Sequence, residues 1–217
     1  MEQTEEKRKI VFVCTGNTCR SPMAEAVFSS EVRRRQLNGV QGYSAGLAAR
    51  GDGAENINLK SASVLAENGY TVENFHARKL DTETLRSAFA FVCMTDEQRD
   101  YLMELKWNEL RKIGEEPIEN NVYSFSDVCG YEIPDPYGKD EDEYRKTFLL
   151  ISEAMPPLFE KFFPEKAVEK PKKKRGRPRK DGGAATKTTK PRAKAATKKT
   201  GIKTEKNSQT LENKNRL

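Results

Sequence analysis

Ile10-Val11-Phe12-Val13-Cys14-Thr15-Gly16-Asn17-Thr18-Cys19-Arg20-Ser21-Pro22 is the stretch on which the reading of this chain turns. Four apolar residues lead into a cysteine, five residues separate that cysteine from an arginine, and Ser-Pro opens a helix-like pattern. The apolar run reads as a short buried strand. Ser21 suits an N-cap and Pro22 the first helical position. The segment between them is then a tight strand-to-helix loop, with inward N–H groups and the positive end of a helix dipole, which is a ready site for an anion. Gly16 and Asn17 are the residues that tolerate the left-handed backbone such a turn needs.

A cysteine among N–H donors and beside Arg20 is favoured as thiolate, the form that attacks phosphorus. Arg20 can hold two phosphoryl oxygens in a bidentate grip, and Ser21 can donate its hydroxyl to the sulfur. A buried strand cysteine ahead of an ordinary turn is the alternative. The order strand, loop, Ser-Pro helix start, with Gly-Asn inside the loop, favours the chemical reading.

From Val13 to Glu25 the sequence resembles the active-site signature of the low-molecular-weight protein phosphatases, the protein-tyrosine and protein-arginine phosphatases, and the likeness extends to about residue 163. The resemblance implies a phosphocysteine intermediate formed on Cys14, with Thr15, Gly16, Asn17, Thr18, Cys19 and Ser21 as the phosphate loop. It implies no cofactor and no metal. It makes Asp135, in Asp135-Pro136-Tyr137, the general acid and then the base for water, with Tyr137 beside the pocket. Pro-Asp-Pro-Tyr-Gly is also ordinary turn composition. Asn17 matches the family's loop-shaping asparagine. Ser44 and His76 match polar residues that brace the loop, and His76 is the only histidine in the chain. Cys19 matches a second loop cysteine that can form a protective disulfide with Cys14; a small packing residue is the equal alternative.

The chain has 217 residues and a formal net charge of +6, but the two parts differ. Residues 165–217 hold 19 Lys and Arg against 5 Asp and Glu, whereas 1–164 is acidic. The first part is long enough for one good core. We therefore expect a single doubly wound α/β domain over 1–164, with about four parallel strands and helices on both faces, and a disordered basic tail over 165–217. No apolar run is long enough for a membrane span, and Met1–Lys9 is charged rather than signal-like. Four unpaired-looking cysteines point to a cytoplasmic setting, nucleoid-associated or nuclear if the tail binds DNA.

Expected strands are 10–14, 40–44, 89–94 and 121–125. Expected helices are 22–37, 61–68, a turn or two over 82–88, one from Thr95 to about 105 opened by a Thr95–Gln98 capping box, and one over 142–163. Strands alternating with helices place the ligand beyond the strand C-termini, where Cys14 lies.

Substrate signals are mixed. Thr18 resembles the arginine-directed members, where the tyrosine-directed ones carry an apolar branched residue; Tyr137 resembles the tyrosine-directed members. Phosphoarginine is slightly favoured. An arsenate reductase of the same fold would need two further cysteines close together, and Cys93 has none near it. A non-catalytic module that reads phosphorylated partners is opposed by intact Cys14, Arg20 and Asp135.

Pro171 to Lys180 resembles an AT-hook. The thin Arg175-Gly176-Arg177-Pro178 core suits a narrow minor groove, and flanking lysines suit phosphates, so A·T-rich DNA is the expected partner beside a phosphorylated protein substrate. A basic targeting tail is the other reading. Nothing in the sequence fixes the oligomeric state.

Overall fold

In the computed structural model, residues 8–72, 74–117 and 120–164 are described. The AT-hook-like stretch and the rest of 165–217 lie outside them. Four strands form one parallel sheet: β1 (Arg8–Cys14), β2 (Val40–Gly46), β3 (Ala90–Cys93) and β4 (Val122–Ser124), in the order β2-β1-β3-β4. β1 is central because it is apolar on both faces. Ile10, Phe12 and Cys14 enter one core and Val11 and Val13 the other, the period of two that a pleated strand imposes. β3 repeats this, with Ala90 and Val92 on the first side and Phe91 and Cys93 on the second.

On the first face lie α1 (Arg20–Arg34), α2 (Leu59–Glu67), α6 (Glu141–Glu153) and α7 (Met155–Phe162). Phe28 of α1 stacks on Phe159 of α7 at 4.8 Å and meets Phe12 edge-on at 5.4 Å; each such ring pair adds about 0.5–1.5 kcal/mol beyond its buried area. On the second face α3 (Thr82–Ser87) and α4 (Asp96–Lys112) cover Phe91 and Val13 with Leu85, Leu102 and Leu110. The short α5 (Phe125–Cys129) follows β4 directly. Among the described residues no helix is long and apolar enough to cross a membrane.

The expected α/β sheet with helices on both faces is present, but several element ends differ. Helix α1 begins at Arg20 with Cys19 as N-cap, so Ser21 is inside the first turn; its hydroxyl is used elsewhere, as described below. Helix α4 runs to Lys112, where Gly114 with φ 76° ends it. The expected single helix over 142–163 is two: Pro156 and Pro157 lack the N–H that would continue α6, and are tolerated only in the opening turn of α7. At α4, Thr95 caps the Gln98 N–H but Gln98 reaches back to Met94 N–H, one residue short of the cap. The reciprocal capping box is at Ser124 and Asp127, opening α5.

Because β2 lies on one side of β1 while β3 lies on its other side, the strand order reverses at β1. The crevice beyond the strand C-termini at such a switch is where open α/β sheets bind ligands. Cys14 is the last residue of β1.

Candidate active site

The loop 15–19 closes on itself through Asn17. Its φ of 57° is left-handed, whereas Gly16 does not take a positive φ; of the two expected turn residues only Asn17 does the turning. This conformation points the Asn17 N–H at Cys14 Sγ, 3.3 Å away. The side chain is fully buried and uses both ends. Its Nδ2 donates to Ser21 Oγ (2.9 Å) and Ser44 Oγ (2.8 Å), and its Oδ1 accepts from Arg78 N–H (2.7 Å).

These bonds fix a proton. Ser21 Oγ accepts from Asn17, and it lies 3.0 Å from Cys14 Sγ, so its own hydrogen is free to donate to the sulfur. Ser44 Oγ in turn accepts from Asn17 and donates to Glu25 Oε2 at 2.6 Å. Arg78 binds the same Glu25 carboxylate and reaches Ser44 Oγ at 3.1 Å. Burial pushes the Glu25 carboxyl above its ordinary range, and the Arg78 charge opposes that shift.

Sequence reasoning did not find Glu25 or Arg78. Glu25 lies one helical turn after Ser21, on the same side of α1, and that spacing was the available signal. The bracing expected of His76 falls to Arg78, two residues on; His76 is exposed and makes no hydrogen bond among the described residues. Gly46 was also missed. A Cβ there would sit 2.8 Å from Thr15 O and 2.9 Å from Asn17 N, so the end of β2 must be glycine for the loop to lie against it.

Arg20 is buried, 4% exposed. Its Nη1 donates to Ile133 O (3.2 Å) and its Nη2 to Asp135 Oδ2 (2.5 Å), while its buried Nε–H has no protein acceptor among the described residues. Asp135 is half exposed, and its other oxygen accepts the Tyr137 N–H at 3.1 Å, a local turn that aims the carboxylate back over the loop. Thus the carboxylate expected 121 residues downstream of Cys14 does face the arginine of the loop.

Thr15 Oγ1 accepts from Gln98 Nε2 at 3.1 Å, which ties the loop to α4. Cys19 packs behind the loop, its Sγ 3.7 Å from Thr18 Oγ1 and 3.6 Å from the Tyr144 hydroxyl; burial raises both the Cys19 thiol and the Tyr144 phenol. Cys14 and Cys19 are both free thiols. Cys14, Thr15, Thr18, Arg20, Glu55, Asp135 and Tyr137 surround a cavity of about 290 Å³. Its lining includes the Cys14 thiol, the Arg20 guanidinium and the Glu55 and Asp135 carboxylates. Among the described residues no group of His, Cys, Asp or Glu is placed to hold a metal.

Residues 9–174 match the family model described as low molecular weight phosphotyrosine protein phosphatase. The chain is 35% identical over 152 residues to the protein-arginine-phosphatase of Bacillus subtilis, covering 69% of this chain and 93% of that protein. It is 31% identical over 160 residues to low molecular weight protein-tyrosine phosphatase A of Mycobacterium tuberculosis, covering 69% and 88%. Among solved structures, a YwlE arginine phosphatase mutant with a phosphorylated active-site serine superposes with a TM-score of 0.61 at 29% identity, covering 73% of this chain and 99% of that one. With loop, arginine and aspartate assembled at the end of β1, the chain belongs to the low molecular weight phosphotyrosine protein phosphatase family.

Proposed function

We propose that the chain hydrolyses phosphoarginine in proteins, with phosphotyrosine as the competing substrate, through a phosphocysteine on Cys14. The observation that carries the mechanism is the meeting of Cys14, Arg20 and Asp135 around one cavity, with the Ser21 hydroxyl 3.0 Å from the sulfur. Cys14 Sγ attacks phosphorus in line with the leaving group. The developing charge on the equatorial oxygens is met by Arg20 and the loop N–H groups. Asp135 gives its proton to the departing nitrogen or oxygen, then takes one from the water that attacks the phosphocysteine. In that second step the sulfur is the leaving group, and the Ser21 O–H aimed at it stabilises the thiolate as it departs.

The preference for phosphoarginine rests on the cavity wall. Thr18 lines it with a hydroxyl where an apolar side chain would favour an aryl ring, Glu55 and Asp135 offer charge to a guanidinium, and Tyr137 is its one aromatic residue among those described. A cysteine-relay arsenate reduction is disfavoured: Cys93 is fully buried within β3 and its thiol is raised by burial, and Cys129 is held against Phe125 O at 3.0 Å. We further propose that 165–217 is a separate segment whose Arg175-Gly176-Arg177-Pro178 core tethers the enzyme to A·T-rich DNA; its composition supports this.

The test is kcat/KM on phosphoarginine and phosphotyrosine peptides side by side, with Cys14→Ser as the blank. Turnover should vanish in the variant while oxyanion binding persists, and phosphoarginine should be preferred. Phosphotyrosine preference would overturn the substrate and leave the mechanism; substantial turnover by Cys14→Ser would overturn the mechanism.

A further inference from the structure

A second cavity of about 470 Å³ adjoins the phosphate pocket and shares Thr15, Arg20, Ala48 and Asp135 with it. Its own wall is Leu47 after β2 and Thr95, Glu97 and Tyr101 at the start of α4. We propose that this cavity is a subsite for a lysine or arginine side chain of the substrate protein, close in its sequence to the phosphorylated residue. The inference rests on the phosphatase reading above.

The charge at this wall decides what it binds. A helix start ordinarily favours anions, but here two of its donors are already taken: Asp96 N–H donates to Glu132 Oε1 at 2.7 Å and Gln98 N–H to Thr95 Oγ1 at 3.2 Å. The Arg20 charge is paired with Asp135. Of the carboxylates around the start of α4, Asp96, Asp100 and Asp127 all pair with Arg99, at 2.9–3.2 Å. Glu97 is exposed and has no ion pair among the described residues. It therefore faces the cavity as an unmatched negative charge.

The apolar part fits the same occupant. Tyr101 follows Glu97 by four residues, so the two share one side of α4, and the residue is 55% exposed. A cationic head can lie between carboxylate and ring face, while its methylene stem lies along Leu47 and Ala48. An acidic side chain would meet the Glu97 carboxylate, and an apolar one would leave Glu97 uncompensated.

The experiment uses a set of phosphopeptides that differ only in Lys, Ala or Glu at each of the two positions on either side of the phosphorylated residue. They are turned over by the full chain, by Glu97→Gln and by Glu97→Lys, with a small aryl phosphate as reference. At one position Lys should be preferred to Ala by about 3- to 10-fold, the range expected of one partly exposed ion pair with a ring contact. The gain should lie in KM with kcat unchanged, disappear in Glu97→Gln and reverse toward Glu in Glu97→Lys, while the aryl phosphate is unaffected. Equal rates for Lys and Ala peptides, or a preference that survives Glu97→Gln, would overturn the subsite. Loss of all turnover, aryl phosphate included, would instead overturn the phosphatase reading. Peptide dissociation constants on the Cys14→Ser protein then decide the subsite alone, since the same Lys-over-Ala ratio is expected there, and equal affinities overturn it.

Discussion

Asn17 holds the loop with three hydrogen bonds from one side chain, in a backbone conformation that costs most residues roughly 1–2 kcal/mol. Asn17→Ala removes the bonds, keeps the strained backbone and leaves Ser44, Ser21 and the Arg78 N–H short of a partner. A loss of about 2–4 kcal/mol in denaturant unfolding is expected, together with a fall in kcat, because the Ser21 proton loses the contact that directs it to Cys14. Asn17→Gly should recover part of the stability and little of kcat; full recovery of kcat would show that backbone conformation alone matters. At Asp135 the expectation is separable. Asp135→Asn keeps the shape but carries no transferable proton, so kcat should fall about 10²- to 10⁴-fold on substrates with poor leaving groups and much less on activated aryl phosphates. An equal loss on both would remove Asp135 from the acid role. Residues 14–21 were legible in the sequence as one loop because they sit at fixed spacing, whereas Asp135 lies 121 residues on. Those that hold the loop were not: Glu25, Gly46, Arg78 and Gln98 come from four separate elements and connecting segments, and only the folded sheet brings them together.

Among the elements, β1 and β3 were legible because both faces are buried and their apolar runs are continuous. α4 was cut short in the reading because its second half presents few apolar residues inward. Trp107 and Met103 are exposed, while Lys106 is only 2% exposed and bonds Asn121. That lysine makes the helix pH-sensitive. Burial pushes it down to about 8, from 10.5. Between those values the unfolded chain holds a proton that the folded chain has released, so stability rises with pH across the window. Wild-type protein should therefore gain on Lys106→Met by on the order of 2 kcal/mol between pH 7.5 and about 10 in urea unfolding; a constant gap would mean that Lys106 does not titrate there. The break between α6 and α7 is written in Pro156-Pro157, inside the span expected as one helix.

For the whole molecule, the core is complete before the basic segment begins. Phe163 is buried, lies 6.4 Å from the Phe28 ring and 5.9 Å from that of Phe159, and closes the first face. Deleting 165–217 should leave turnover of small substrates unchanged and remove salt-sensitive binding to A·T-rich duplex. Equal DNA binding by the shortened chain would overturn the tether. The charge contrast between 1–164 and the tail was plain in composition, whereas which surface of the domain meets a substrate was not, since that depends on how α4 is set against the end of β2.

The place where α7 finishes has a practical consequence. The Arg8 guanidinium lies 4.9 Å over the Phe163 ring. Arg8 opens the strand that Cys14 ends, and six strand steps of about 3.3 Å put roughly 20 Å between the two. The carboxyl-terminal side of the domain is thus its underside. A surface, bead or fluorophore attached there grips the domain by the base and leaves its mouth turned outward.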